Sequence, residues 1–304
     1  MRKFMAVCLA GLLLAGPAFP ESKPAAPMVL TEHDRSVPGG RAVLVELPQT
    51  EIGTDVDVGR VVADSGQYNG GLIGALILSS SDDKRERLTR MELEKANAYV
   101  APLRQAMRDF DFDSLAISSS RSAFAHLDWF AGQEPKPNKS PSDVDRRALI
   151  TTAGTKQIAT ITYHYALSPD FTQIRVIADL ALWQAAPTHR NGEQPALVGL
   201  YGQRIMAIAE LRKRSFDPVE NVAQWRADNA RLARVSITGA LGRLEQLIPF
   251  ALGLRQADVD ALSAKKADKV FTAGFYGPPV KAYPSVTGEA LIWSKGLIDV
   301  MPAP

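Results

Sequence analysis

The chain is 304 residues long, 46% hydrophobic and 22% charged, with one cysteine and a formal charge of +2. That is too apolar for a disordered chain and too poor in cysteine for a disulfide-held scaffold. So small a net charge leaves no electrostatic footprint for nucleic acid, which is excluded as a partner.

Met1, Arg2 and Lys3 form a basic start, followed by the apolar run Phe4 to Ala15 and then Gly16, Pro17 and Ala18. This layout predicts a secretory signal peptide over residues 1–18, cleaved after Ala18, and delivery to the periplasm. The apolar run is shorter than the roughly 20 residues a spanning helix needs, so no transmembrane helix is expected after signal removal. Cys8 sits inside the run rather than behind it, which argues against lipidation. Cleavage would remove Arg2, Lys3 and Cys8, leaving 286 residues with 33 basic and 33 acidic side chains. A neutral chain without cysteine in an oxidising compartment depends on its packing alone.

Pro20, Pro24, Pro27, Pro38 and the Gly39-Gly40 pair make residues 19–40 read as a flexible lead-in. A single domain is expected over 41–304, with 131–146 as the place where it could divide. Arg41 to Leu47 alternates as a strand does and is ended by Pro48; Val56 to Ala63 reads as a second strand, with Gly59 marking a bulge. Gly66, Gly70 and Gly74 then stand four apart, in and before the uncharged run 70–78. On a helix they would form one groove for close approach of a second helix, so the segment is either buried core or an association surface.

Asp82 to Phe110 carries Leu93, Ala96, Val100, Leu103, Met107 and Phe110 at steps of three and four, which predicts a long helix kinked at Pro102. Leu115 to Phe130 reads as shorter helix or irregular chain, and 131–145 as a loop. From Arg147 the period becomes two, and over Gln157 to Leu167 it places Ala159, Ile161, Tyr163, Tyr165 and Leu167 on one face, with Thr160, Thr162 and His164 on the other. Ser168 to Phe171 supplies a turn, and the partner strand, Thr172 to Trp183, points Ile174, Val176, Ala178, Leu180 and Leu182 inward. A third long strand follows over 196–211. Asp217 and Pro218 then open a helix running to about Leu252, weakened by Gly239, Gly242 and Pro249. A short helix over 256–264 and a hairpin over 290–300 complete the chain. The expected fold is α+β: an antiparallel sheet, made of a long meander and a C-terminal hairpin, with two long helices packed against it.

Chemical motifs are sparse. There is no phosphate-binding glycine loop and no nucleophile elbow. Ser-x-x-Lys occurs at Ser81/Lys84 and Ser263/Lys266, but in charged stretches where lysine keeps its proton. His33, His126, His164 and His189 are dispersed. Asp109, Asp111 and Asp113 alternate as in half a calcium loop, yet Ser114 and Ser120 stand where glycine and glutamate are required. No cofactor and no metal are therefore expected, and no catalytic residue can be named. His164, Arg175 and Asp179 share the wet face of the hairpin and are the candidate pocket residues; Glu210 is a further acid on the next strand. The expectation is an exported, non-catalytic periplasmic or envelope-associated protein acting through a protein or membrane-surface partner. The alternatives are an unrecognised hydrolase, or a small-ligand carrier with a pocket between helices and sheet.

Overall fold

The computed structural model describes residues 29–55, 82–186, 196–264, 266, 268–280, 290–294 and 296–304. The elements run α1 (Glu32–Arg35), β1 (Arg41–Glu46), β2 (Gly53–Thr54), α2 (Asp82–Ala106), α3 (Phe112–Ala125), β3 (Lys136–Asn138), α4 (Asp143–Ala153), β4 (Gln157–Leu167), β5 (Gln173–Ala185) and β6 (Leu197–Glu210). They continue with α5 (Pro218–Gly253), α6 (Gln256–Ser263), β7 (Val270–Thr272), β8 (Phe275–Gly277), β9 (Ala290–Trp293) and β10 (Leu297–Pro302).

Eight strands form one sheet in the order β3-β1-β4-β5-β6-β10-β9, with β2 also paired to β4. The sheet is not the antiparallel one that the sequence predicts. The β4–β5–β6 meander and the β9–β10 hairpin are antiparallel, but β1 pairs parallel with both β3 and β4, β2 with β4, and β10 with β6. The fold is therefore α/β with a mixed sheet. Parallel neighbours need a crossover, and the helices supply it: α2 and α3 lie between β1 and β3, α4 between β3 and β4, and α5 between β6 and β10. All six residues of β1 are buried, as befits a strand covered on both faces.

One face of the sheet carries the main core. Val43, Val45, Ala159, Ile161, Tyr163, Ile174, Val176, Ala178 and Leu180 meet α2, α3 and α5 through Val100, Leu103, Phe112, Ala116, Trp225, Ile237, Leu241 and Leu244. Burial on this scale, at about 25 cal/mol per Å2 of apolar surface, dominates the stability of a chain with no disulfide available to it. Trp225 Nε1 donates to Phe171 O at 2.7 Å and Asn221 Nδ2 to Asp170 O at 3.0 Å, tying the β4–β5 turn to the first part of α5.

Among the described residues, the apolar clusters on the opposite face lie at its two ends. Leu149 and Ile150 of α4 pack on Ala42, Leu44 and Ile158. Ala273 and Phe275 of the β7–β8 hairpin pack on Met206, Ile208, Ile292, Ile298 and Val300.

Two segments read as loop or weak helix take another form. The 131–145 stretch contains β3 and opens α4, and α4 continues through Arg147 to Ala153, where a period of two is expected. The break in α5 falls at Ala227–Ala230, where Asp228, Asn229 and Ala230 are left-handed, and not at Gly239, Gly242 or Pro249. Beyond it Ile237, Ala240, Leu241, Leu244, Leu247 and Ile248 are all buried, and that packing outweighs the roughly 1 kcal/mol a helical glycine costs. Of the lead-in, residues 29–40 rest on the domain: Leu30 is buried, and Arg35 Nη2 donates to Leu252 O at 2.7 Å. Arg41, itself buried, donates to Gln157 Oε1, Trp129 O and Arg35 O, and its burial lowers its pKa from the ordinary arginine value.

Candidate functional site

Between α4 and the β7–β8 hairpin a strip of sheet stays half-buried, and the candidate residues His164, Arg175 and Asp179 lie on it. Their placement follows from the two-residue period of β4 and β5. In the register Thr162 faces Asp179, His164 faces Ile177 and Ala166 faces Arg175, so His164 sits diagonally between the other two.

Arg175 and Asp179 share the face with His164 but turn to different partners. Asp179 receives two hydrogen bonds from Arg204, at 2.7 Å from Nε and 2.8 Å from Nη2, and these push the Arg204 guanidinium above its ordinary pKa. Arg175 binds Asp55 at 3.1 Å and Gln173 at 2.9 Å, with its guanidinium 5.2 Å from the centre of the Phe275 ring. Glu210 accepts from Gln173 Nε2 at 2.9 Å and from Arg214 at 2.7 Å. Further along the strip, buried Glu46 accepts from Arg146 Nε at 2.8 Å, Arg146 Nη2 at 2.9 Å and Thr162 Oγ1 at 2.5 Å. The strip is thus a run of closed ion pairs. Its carboxylates are engaged by arginines, an arrangement that fixes side chains more than it activates them.

A cleft of about 380 Å3 lies on the other face, between the end of α2 and the chain just before β2. Ile52, Met107 and Phe110 give it apolar wall, and Arg104, Arg108 and Glu51 give it a charged rim. Arg104 is held by Ile52 O and Asn97 Oδ1, each at 2.9 Å, and stands 3.3 Å from Glu51. Tyr165 lines the cleft from β4, its ring stacked on Phe112 at 4.0 Å. Burial, with the charges of Asp113 and Glu51, pushes its hydroxyl up to about 12. At neutral pH it is therefore a neutral donor, with no hydrogen-bond partner among the described residues.

The alternating aspartates diverge. Asp109 pairs with Arg234, Asp111 caps α3 through the Ser114 amide at 3.0 Å, and Asp113 pairs with Lys139. Among the described residues no three histidine, cysteine, aspartate or glutamate side chains gather as a metal site would require. No helix among them is long and apolar enough to cross a membrane. Gly66, Gly70 and Gly74, like residues 1–18, lie outside the described residues.

Reading the sequence alone missed the β7–β8 hairpin, which presents Phe271 at 73% and Tyr276 at 61% exposure. The signal was present: two short aromatic runs around Ala273-Gly274, a two-residue turn whose central residues both have positive φ. Tyr165 belongs to the core, as its place in the two-residue period predicts, and also lines the cleft; period alone does not show where a packed face opens. Compared with known proteins, the chain matches no family model, no curated protein and no solved structure.

Proposed function

We propose that the chain is an exported, non-catalytic protein of the periplasm or cell envelope that works by binding a protein or membrane-surface partner. One observation carries this reading. Large aromatic side chains are exposed to solvent: Phe216, in the connection ahead of α5, is 108% exposed, and Phe271 and Tyr276 project from a packed hairpin. Exposed aromatics of this size mark contact surfaces more often than single exposed aliphatics do. The paired carboxylates of the sheet strip give support from the other side, since a general acid or base must be free to exchange its proton. Export rests on the basic, apolar and small-residue order of residues 1–18.

The test is to express the full chain in a Gram-negative host and sequence the amino terminus of the product in each cell fraction. Periplasmic or envelope-bound protein beginning at Phe19 is expected; intact protein confined to the cytosol overturns the reading. Gly66, Gly70 and Gly74 belong to it as an association groove, and Gly70→Leu should then lower the envelope-bound fraction. An unchanged fraction removes the groove.

A second reading, a small-ligand carrier, is favoured by the Tyr165 cleft. There a neutral phenol donor, two arginines and an apolar wall suit a small carboxylate with an apolar body.

A further inference from the structure

We infer that the β7–β8 hairpin is a contact surface for a bilayer containing anionic phospholipid, which rests on the envelope reading above and names its partner. The hairpin has two unlike faces. Phe275 points to the sheet, under Arg175 and among Met206, Ile208, Ile292, Ile298 and Val300. On the outer face Phe271 and Tyr276 are direct cross-strand neighbours, and Lys269 Nζ lies 5.6 Å from the centre of the Tyr276 ring. Val270 alternates onto the inner face with Thr272 and Phe275, so the outer face is made of the aromatic pair and Lys269.

The hairpin is mounted rigidly. A Cβ on Gly277 would stand 2.0 Å from Trp293 O, so only glycine lets β8 approach β9 this closely. Just beyond it, Trp293 N donates to Pro278 O at 2.9 Å and Val280 N to Leu291 O at 2.8 Å. The outer aromatics are therefore held out from the domain by its own fold and are not folded back onto it.

Charge complementarity selects the partner. Residues 264–281 contain Lys265, Lys266, Lys269 and Lys281 against one acid, Asp268, although the chain as a whole is almost neutral. An aromatic pair flanked by lysines matches the bilayer interface, where rings sit at headgroup depth and long cationic side chains reach the phosphates. A protein adding a strand is less well served: β7 is three residues long, and the β9 edge of the main sheet is already occupied by 278–280. Binding through so few side chains is peripheral and salt-sensitive.

The test is flotation of the purified protein, expressed from the full chain, with vesicles of phosphatidylcholine alone or with about one-third phosphatidylglycerol. Wild type should float with the anionic vesicles only, and be released at about 0.5 M salt. Phe271→Ser with Tyr276→Ser, and separately Lys266→Gln with Lys269→Gln, should each lower the bound fraction about fivefold or more. All four side chains are exposed, so the melting temperature should not move. Equal flotation of wild type and the aromatic variant, or flotation of neither, overturns the inference. So does a cross-linker at position 271 that captures a protein while the vesicles stay empty. Export is read independently from the amino-terminal residue, so failed flotation leaves the envelope reading standing.

Discussion

The buried carboxylate of Glu46 and the guanidinium of Arg146 stand 100 residues apart in the chain and share two hydrogen bonds, of 2.8 and 2.9 Å. They pin α4 to the β1 end of the sheet. Removing one partner of such a pair strands the other in a low-dielectric site. Arg146→Met should therefore cost about 3–5 kcal/mol, and Glu46→Leu in the same chain should recover more than half of that loss. Urea unfolding measures both variants. A double variant no more stable than the single one would contradict a charge-pairing role.

Asp170, at the β4–β5 turn, contributes to the acid side of the stability profile. Burial works to raise its carboxyl, but hydrogen bonds from Ser168 and Thr172 outweigh it and hold the pKa below its ordinary 3.8. The unfolded chain therefore takes up this proton first as pH falls. The stabilisation is fully present above pH 4 or so and is lost as pH drops through the depressed value. Asp170→Asn should destabilise the protein at neutral pH and flatten the profile in that acid window. Thermal melts from about pH 6 to pH 2.5 measure it; an identical slope in both proteins would contradict the assignment.

Gly277 is the point at which the aromatic hairpin is seated against β9. Gly277→Ala puts a methyl into the Trp293 backbone, which cannot move as a side chain tip would. The expected cost is about 1–3 kcal/mol, with faster amide exchange at Val280 and Trp293. Unchanged exchange at those two amides would mean that the hairpin is not seated through this contact.

Tyr165 offers a neutral donor to the cleft. Tyr165→Phe should weaken binding of benzoate, used as a probe carboxylate, by about tenfold, with Arg104→Gln as the charge control. Absorbance titration should also lose one phenol that ionises only at about 12. Benzoate binding that is absent from wild type, or equal in Tyr165→Phe, would remove the carrier reading.

Local patterning carried a reader of the sequence a long way. The β4–β5 hairpin was legible because its apolar side chains alternate over eleven residues and one turn, and α2 because its stripe steps by three and four. Strand direction was not legible. Alternation shows that a strand exists, while β1 finds β3 and β4 across roughly a hundred residues of chain, which no local period records. Helix α4 escaped because only Leu149 and Ile150 are buried, although Ser142 at its start and Gly154 at its end were available signals. The candidate strip was half legible in the same way. Period two put His164, Arg175 and Asp179 on one face; Asp55 and Arg204, which neutralise two of them, come from elsewhere in the sequence.

The central claim is that this protein meets the envelope through its outward aromatic hairpin. Fractionation of cells exporting wild type and the Phe271→Ser, Tyr276→Ser double variant tests it most directly. The account predicts that wild type pellets with the envelope and is released by salt, while the variant, equally processed and folded, stays in the soluble periplasmic fraction. The same distribution for both proteins would contradict it.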